Sequence, residues 1–346
     1  MAYTTIDKPS DYFNTVLWTG NDTDDRTISG VGFSPNWVWI KARNNGDAHY
    51  LVDTVRGSTK VIFSDSNSAE DTRVSAVKSF ASDGYVLGQE AQVNRNSGTF
   101  VAWNWKAETA FSNDASSTSV GSIDSAGSVN TTAGFSIITY TGTGSAATVA
   151  HGLGVAPKLI INRTISAAKE WDVYYGDPTD YLVLNTNAAT VDASDKWNDT
   201  APTSTVWSIE SSSQNNTSGG SCLAYCFAEK QGYSKIGSYT GNGSSTDGAF
   251  VHTGFKPAWI MFKSTSATGF WEIHDNKRDP FNVSKLRLFP NSSNAEATED
   301  YVDFVSNGFK FRTNDANGNT DGTSYIYLAF AEEPFVSSTG IPATAR

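Results

Sequence analysis

Histidine, cysteine and methionine are scarce in this sequence, with four, two and two copies among 346 residues. No cysteines or histidines are paired at metal-ligand spacing, so we predict no metal site. The two cysteines, Cys222 and Cys226, share one face of a predicted strand, about 13 Å apart at the usual rise per residue. A disulfide needs Cα atoms within about 7 Å. We therefore expect two free thiols, which suits folding in a reducing cytoplasm.

Long apolar runs and clustered basic residues are also missing. No run approaches the roughly 18 apolar residues of a membrane span, and the polar start of the chain lacks the apolar segment of a signal peptide. The net charge is −11, whereas nucleic-acid binding requires clustered lysine and arginine. We predict no nucleic-acid partner, no membrane partner and an acidic, solvated surface.

The motifs that usually mark an active site are absent from the sequence. It contains no phosphate-binding GxxxxGK[ST], no GxGxxG after a strand, no GxSxG and no HExxH. We therefore predict no catalytic residue and no cofactor, and expect a protein that is not an enzyme.

The residues that are abundant favour β structure. Aromatic residues reach 12%, and glycine, serine, threonine and asparagine are common. Aromatic and β-branched runs between glycine, asparagine and aspartate turns are typical of strands. The sequence therefore predicts an all-β protein.

One pattern occurs three times at nearly constant spacing. A Thr-Gly pair precedes a proline by 15, 15 and 16 residues, a basic residue follows six after each proline, and a closing aromatic follows the proline by 70, 70 and 73 residues. The positions are Gly20, Gly142 and Gly241; Pro35, Pro157 and Pro257; Lys41, Arg163 and Lys263; Trp105, Phe227 and Phe330. Because a proline at the first residue of a strand removes no ladder hydrogen bond, each one predicts a strand start. The triple agreement predicts a repeated module.

Each copy has about 95 residues and several short strands, which favours three tandem antiparallel β-sandwich, jelly-roll-like modules. The predicted divisions are an N-terminal arm (1–13), module one (14–107), a flexible linker (108–132), module two (133–230), module three (231–334) and a C-terminal tail (335–346). We expect the arm to be a frayed end or to dock on a neighbouring subunit. Each module is expected to bury its own core, with modules two and three a rigid pair and module one independently placed. Asp83-Gly84 predicts a hairpin turn with positive φ angles, repeated near Gly308 but missing from module two.

Ten tryptophans invite a carbohydrate-binding hypothesis. Those at positions shared between modules are predicted to fill interiors; they are Trp37, Trp39, Trp103, Trp105 and Trp259. Trp197, Trp207 and Trp271 are not clearly repeated, and we predict that they are exposed contacts for a glycan or a protein partner.

Two acidic segments are candidate chemical sites. Glu272 and His274 share one strand face, as an acid–base pair requires, although a strand that ends in a polar turn has the same pattern. Residues 315–321 space oxygen side chains by two, as calcium loops do, but lack the glycine and the distal glutamate of such loops. We therefore expect a plain turn rich in aspartate and asparagine at that segment.

The repeated patterns Gly-Phe-x-Pro-x-Trp, Tyr-Thr-Gly and Ala-Tyr-Cys-Phe-Ala-Glu, with the first seven and last seven residues, resemble repeated modules in virion proteins of marine tailed phages, cyanophages and related podoviruses. The resemblance covers nearly the whole chain. It implies a structural virion component, often labelled tail fibre or appendage protein, with no assigned enzymatic activity and no catalytic residues to carry over.

Three functions follow as hypotheses. The first is a non-enzymatic, homo-oligomeric virion protein, assembled in the host cytoplasm with other virion proteins as a surface fibre, appendage or capsid decoration. The second is a glycan-binding adhesin for the host receptor, with affinity for host lipopolysaccharide that depends on Trp197 or Trp271. The third is a polysaccharide depolymerase, which would release new reducing ends from host polysaccharide.

Overall fold

The computed structural model describes residues 3–342 and shows an all-β protein of three antiparallel β-sandwich modules. In modules one and two a larger sheet has one face covered by a smaller sheet; in module three the two packed sheets have four strands each, and we name them larger and smaller after the equivalent sheets of the other modules. Within the described range, no helix has the length and apolar character needed to cross a membrane.

Module one contains a 3₁₀ helix (Pro9–Asp11), β1 (Phe13–Thr19), β2 (Arg26–Ile28), β3 (Trp37–Ala42), β4 (Tyr50–Asp53), β5 (Lys60–Phe63), β6 (Asp71–Thr72), β7 (Val77–Ala81), β8 (Gly84–Leu87), α1 (Ala91–Asn94) and β9 (Thr99–Trp105). Module two contains β10 (Thr109–Asn113), α2 (Ala115–Thr118), β11 (Ser125–Asn130), β12 (Phe135–Thr141), β13 (Ala147–Ala150), β14 (Leu159–Thr164), β15 (Asp172–Tyr174), β16 (Asp180–Val183), β17 (Val191–Asp192), α3 (Ser194–Trp197), β18 (Val206–Ile209) and β19 (Ser221–Phe227). Module three contains β20 (Ser234–Thr240), β21 (Phe250–His252), β22 (Phe255–Ser264), β23 (Glu272–Asp275), β24 (Ser284–Arg287), β25 (Ala297–Val305), β26 (Gly308–Phe311) and β27 (Ser324–Pro334).

The three larger sheets share the order of four neighbouring strands, which confirms the triplication. They run β1-β9-β3-β4-β5-β6, β10-β11-β12-β19-β14-β15-β16-β17 and β20-β27-β22-β23. In each sheet the closing strand lies between the opening strand and the strand at the repeated proline. The smaller sheets are β2-β8-β7, β13-β18 and β21-β26-β25-β24. Module two, which lacks the repeated hairpin turn, has the smallest of them.

The prolines take two different positions. In modules one and two the strand starts two residues after the proline, at Trp37 and Leu159. In module three Pro257 lies inside β22, where the pairing register shifts on both sides of it. A bulge tolerates proline because the ladder hydrogen bond is already interrupted there.

The hairpin predicted at Asp83-Gly84 forms, but its geometry differs from the prediction. Ala81 pairs with Gly84, so the turn residues are Ser82 and Asp83, and neither has a positive φ. Glycine is required at position 84 because a Cβ there would lie 2.0 Å from the carbonyl oxygen of Ile28. A Cβ on Gly308 of module three would be equally close to the Val251 oxygen.

The face of each larger sheet that its smaller sheet does not cover packs against the other modules. One central core thus joins the three larger sheets. The ring centroids of Trp37 and of Tyr225 in module two are 4.1 Å apart, and those of Trp105 and of Trp259 in module three are 5.8 Å apart. Modules two and three meet at Phe227 and Phe330, whose ring centroids are 6.1 Å apart. The recurrent tryptophans are interior, as predicted, but they fill the space between modules. The expectation that module one is independently placed is therefore wrong.

Equivalent backbone hydrogen bonds close the modules into a ring. The Glu70 amide of module one donates to Ile165 O of module two at 2.8 Å. The Thr190 amide of module two donates to Thr265 O of module three at 2.9 Å. The Glu296 amide of module three donates to Arg43 O of module one at 2.7 Å. Head-to-tail contacts that return to the first unit define a closed ring.

Residues 108–132 are not a linker. They form β10, α2 and β11, which extend the larger sheet of module two, and β11 pairs with β12 over six residues. Their polar composition misled the prediction because an edge strand is held mainly by backbone hydrogen bonds and needs few apolar side chains. Phe111 and the buried Val129 supply the packing onto the module-two core.

The described part of the N-terminal arm docks on module three of its own chain. The Tyr3 hydroxyl donates to Gly254 O at 2.5 Å, and the Thr4 hydroxyl donates to Gln231 O at 2.8 Å. Ile6 is buried in the central core. The C-terminal tail meets this arm, because the Ser338 amide donates to Asp7 Oδ1 at 2.6 Å. The arm's first two residues and the tail's last four, 343–346, lie outside the described residues.

Both cysteines are free and buried in the module-two core. Burial raises the pKa of the Cys222 and Cys226 thiols, and the thiolate is the reactive form. We expect no reaction with a thiol-specific chromogenic reagent in the native protein and two reacting thiols per chain after denaturation. Rapid labelling of one thiol without denaturant would contradict this placement.

Candidate functional site

Buried cations at two of the three repeated basic positions tie modules together. Arg163 of module two donates to the carbonyl oxygens of Ser66, Asn67 and Ser68 in module one at 2.7–3.1 Å. Lys41 of module one donates to Ser293 O of module three at 3.1 Å. These groups belong to the joints of the ring.

A buried ion pair links modules one and two. Arg56 Nε lies 2.6 Å from Asp53 Oδ2, and both side chains are almost fully buried. The carboxylate also accepts from the Tyr225 hydroxyl of module two at 2.9 Å. Arg56 donates further to Leu51 O and to Glu70.

The joint between modules three and one repeats this arrangement. Arg278 Nε lies 2.5 Å from Asp275 Oδ2, which accepts from Trp103 Nε1 of module one at 3.0 Å. Arg278 also donates to Ile273 O and to Glu296. Two of the three joints thus share one ionic device.

The third joint, between modules two and three, lacks every residue of that ion-pair arrangement. By position in the repeat, Leu328 stands where Tyr225 and Trp103 stand, and it has no hydrogen-bond donor. Tyr175 replaces the aspartate and Pro178 replaces the arginine. Because an unpaired buried charge is costly, loss of the donor, the acid and the base together is physically consistent.

The three tryptophans predicted as exposed contacts are buried, with 2%, 1% and 1% exposure for Trp197, Trp207 and Trp271. Trp197 packs edge-on against Tyr174, and Trp271 Nε1 of module three donates to Val183 O of module two at 2.9 Å. The expectation of exposure is therefore wrong for all three. A glycan has no accessible indole face at these positions.

The Glu272–His274 pair is also buried, with both side chains at 0% exposure. Glu272 accepts from Arg287 Nε at 3.0 Å, and His274 Nε2 lies 3.5 Å from Glu272 Oε2. Burial lowers the pKa of His274. The pair belongs to an ionic cluster of the module-three interior.

The acidic loop at residues 315–321 is a turn whose first carboxylate is occupied. Asp315 Oδ1 accepts from the Asn317 amide at 2.9 Å and from the Tyr301 hydroxyl at 2.7 Å, and Arg287 lies 3.2 Å away. Between residues 3 and 342, no three histidine, cysteine, aspartate or glutamate side chains are grouped so as to hold a metal ion.

Asp172 is a buried carboxylate in the module-two interior. Lys196 Nζ lies 3.3 Å from Asp172 Oδ2, and neither carboxylate oxygen makes a hydrogen bond within the described chain. Burial raises the pKa of Asp172 to about 7, although Lys196 acts in the opposite direction.

This pKa predicts a pH dependence of stability. A folded-state pKa above the unfolded value means that the folded protein binds the extra proton, so the contribution is present below pH 4 and lost as pH rises through 7. We expect the unfolding free energy of the wild type, relative to Asp172→Asn, to fall by about 2 to 4 kcal/mol between pH 4 and pH 8. Denaturant titrations of both proteins across this range measure it. A difference that does not change with pH would contradict the prediction.

Two solvent-open clefts lie at joints of the ring. The cleft between modules one and two has a volume of about 630 Å³ and a lining rich in charge, with Arg56, Glu70, Asp114 and Asp124. The volume is in the range of small-molecule sites.

The cleft between modules two and three has a volume of about 770 Å³ and a lining with fewer charges. Module three contributes the hydroxyls of Ser238, Thr240 and Ser324, and module two contributes Tyr175 and Asp177.

In each module the last residue of the opening strand pairs with the first residue of the closing strand, and both carry a hydroxyl group. They are Thr19 with Thr99, Thr141 with Ser221, and Thr240 with Ser324. These residues are not among the contacts predicted from the sequence, although an alignment of the three repeats shows a hydroxyl at each position. Each larger sheet thus has one face that carries aromatic side chains at the centre of the ring of modules and hydroxyl groups at the outer end of the same face.

The joint between modules three and one carries an ion pair at the corresponding place. Arg43 binds Glu296 with two hydrogen bonds of 2.8 and 3.1 Å. By position in the repeat, Arg43 corresponds to Ile165 and Thr265, which line the two clefts.

The fold and its joints define a class of all-β proteins in which three sandwich modules form a ring around one aromatic core. The chain matches the family described as "Domain of unknown function (DUF7483)" over residues 8–334 and belongs to that family. A comparison with curated proteins gives no match. The family description assigns no activity.

Proposed function

We propose that this chain is a non-enzymatic structural protein of a tailed-phage virion, acting as a surface fibre, appendage or capsid decoration. The observation that carries the proposal is the use of buried ionisable groups to join modules. Arg56 with Asp53, Arg278 with Asp275, and Arg163 each bind across or at a module boundary. A ring joined in this way is a rigid building block.

The pair that came closest to an acid–base site supports the same proposal. Glu272 and His274 are fully buried, and Arg287 binds the carboxylate. The sequence patterns shared with virion modules supply the biological setting. The proposed partners are further copies of the chain and other virion proteins assembled in the host cytoplasm.

The test is electron microscopy of particles made without this protein. We expect a projection or surface knob to be missing and to return when the protein is supplied in trans. Particles of unchanged appearance would overturn the proposal. Light scattering of the purified protein tests the oligomer, with a mass that is a multiple of the monomer expected.

A further inference from the structure

We propose that the cleft between modules two and three is a binding site for a neutral oligosaccharide. This goes beyond the scaffolding role and does not depend on it. The cleft is bounded by the opening strand of module three on one side and by Tyr175 to Asp177 of module two on the other.

The lining of the cleft offers hydroxyl groups without partners among the described residues. Ser238, Thr240 and Ser324 are exposed, and their side chains make no hydrogen bond to other described residues. A serine or threonine hydroxyl can donate and accept at once, which matches the alternating donors and acceptors of a sugar.

Tyr175 supplies an aromatic wall held in one orientation. Its hydroxyl bonds to Asp180 Oδ2 at 3.1 Å and to Thr190 Oγ1 at 2.9 Å, while its ring packs at the edge of the central core. The side chain is half-buried and lines the cleft. An amphipathic ring that is already fixed loses little conformational entropy when it contacts a ligand.

The charges at the cleft favour a neutral ligand. Lys158, the basic residue among those lining the cleft, pairs with Glu229 Oε2 at 2.7 Å. Asp177 accepts from the Thr179 amide and hydroxyl and adds a carboxylate acceptor for sugar hydroxyls. An acidic sugar would meet this carboxylate with the lysine already paired.

The hydrophobic contribution comes from the inner end of the cleft. Ile236 and Ile326 line it, and both belong to the central core. A pocket with apolar depth and a few placed polar groups has the usual composition of a small-ligand site.

The test uses the full chain on an array of neutral and acidic glycans, followed by calorimetric titration with the best neutral oligosaccharide. The variants are Ser238→Val/Thr240→Val and Tyr175→Ala. Thr19→Val is the matched control, because Thr19 occupies the position of Thr240 in module one, outside this cleft. The Ser238→Val/Thr240→Val variant changes exposed side chains only, so it keeps the test valid if Tyr175→Ala fails to fold.

We expect wild type and Thr19→Val to bind a neutral glycan equally and the cleft variants to bind at least tenfold more weakly. Binding that the cleft variants retain would place the site elsewhere and overturn the proposal. Binding of acidic glycans only, or of none, would also overturn it. None of these results bears on the particle experiment, so the two proposals can fail separately.

Discussion

Replacing Trp37 by alanine is expected to lower the free energy of unfolding by about 3 to 5 kcal/mol, the usual cost of removing a buried large aromatic ring. The ring is 1% exposed. Its centroid lies 4.3 Å from the centroid of the Trp105 ring in the same module and 4.1 Å from that of the Tyr225 ring in module two. The variant therefore opens a cavity between modules. Denaturant titration followed by fluorescence and circular dichroism measures the loss.

Phe281→Ala is the control, because its ring is 77% exposed. Truncation of such a side chain should change stability by no more than about 0.5 kcal/mol. If Trp37→Ala cost as little as the control, Trp37 could not be part of a core shared by the modules.

Asp53→Ala is expected to destabilise the protein by about 3 to 5 kcal/mol, because it leaves the Arg56 guanidinium buried without its main partner. The side-chain exposures are 0% for Asp53 and 3% for Arg56. The substitution also removes the acceptor of the Tyr225 hydroxyl of module two.

Asp71→Ala is a matched control in the same module. Arg73 Nε lies 2.6 Å from Asp71 Oδ2, the same distance as in the buried pair, but the two side chains are 40% and 46% exposed. An exposed pair of this kind contributes less than about 1 kcal/mol. Equal effects of the two substitutions would contradict the role given to burial.

A double-mutant cycle with Tyr225→Phe tests the link between modules. The hydroxyl contributes through Asp53, so Tyr225→Phe should destabilise the wild type by about 1 to 3 kcal/mol and the Asp53→Ala variant by much less. Additive effects would mean that the two groups do not act together.

Much of the fold was predictable from local pattern. Aromatic and β-branched runs identified the main strands, and the spacing of prolines and closing aromatics identified three modules. Hydrophobic residues lie on both faces of residues 37–41, a pattern typical of a strand that is covered on both sides, and every residue of β3 is buried.

The shared core was not predicted, although the sequence held a signal for it. A two-sheet sandwich covers one face of each sheet, so tryptophan on the second face, as at Trp37 and Trp105, requires a further partner. Alternation shows that a face is covered but does not show what covers it. The contacts with modules two and three supply the missing partner.

The candidate site residues were harder to predict for a related reason. Trp197 and Trp271 looked exposed because they are not clearly repeated, yet both are buried. Position 271 is equivalent to Trp171, and their indole N–H groups donate to the equivalent carbonyl oxygens of Val183 and Phe63. Module one has His49 at this position, so the repeat is incomplete. The cleft residues Ser238 and Thr240 are small and polar, and composition alone does not distinguish them from ordinary surface residues.

Differential scanning calorimetry of the intact chain tests most directly whether the three modules unfold as one. A common core predicts a single transition in which the calorimetric and van't Hoff enthalpies agree. Separate transitions, or a calorimetric enthalpy two to three times the van't Hoff value, would show that the modules are independent and would contradict the account.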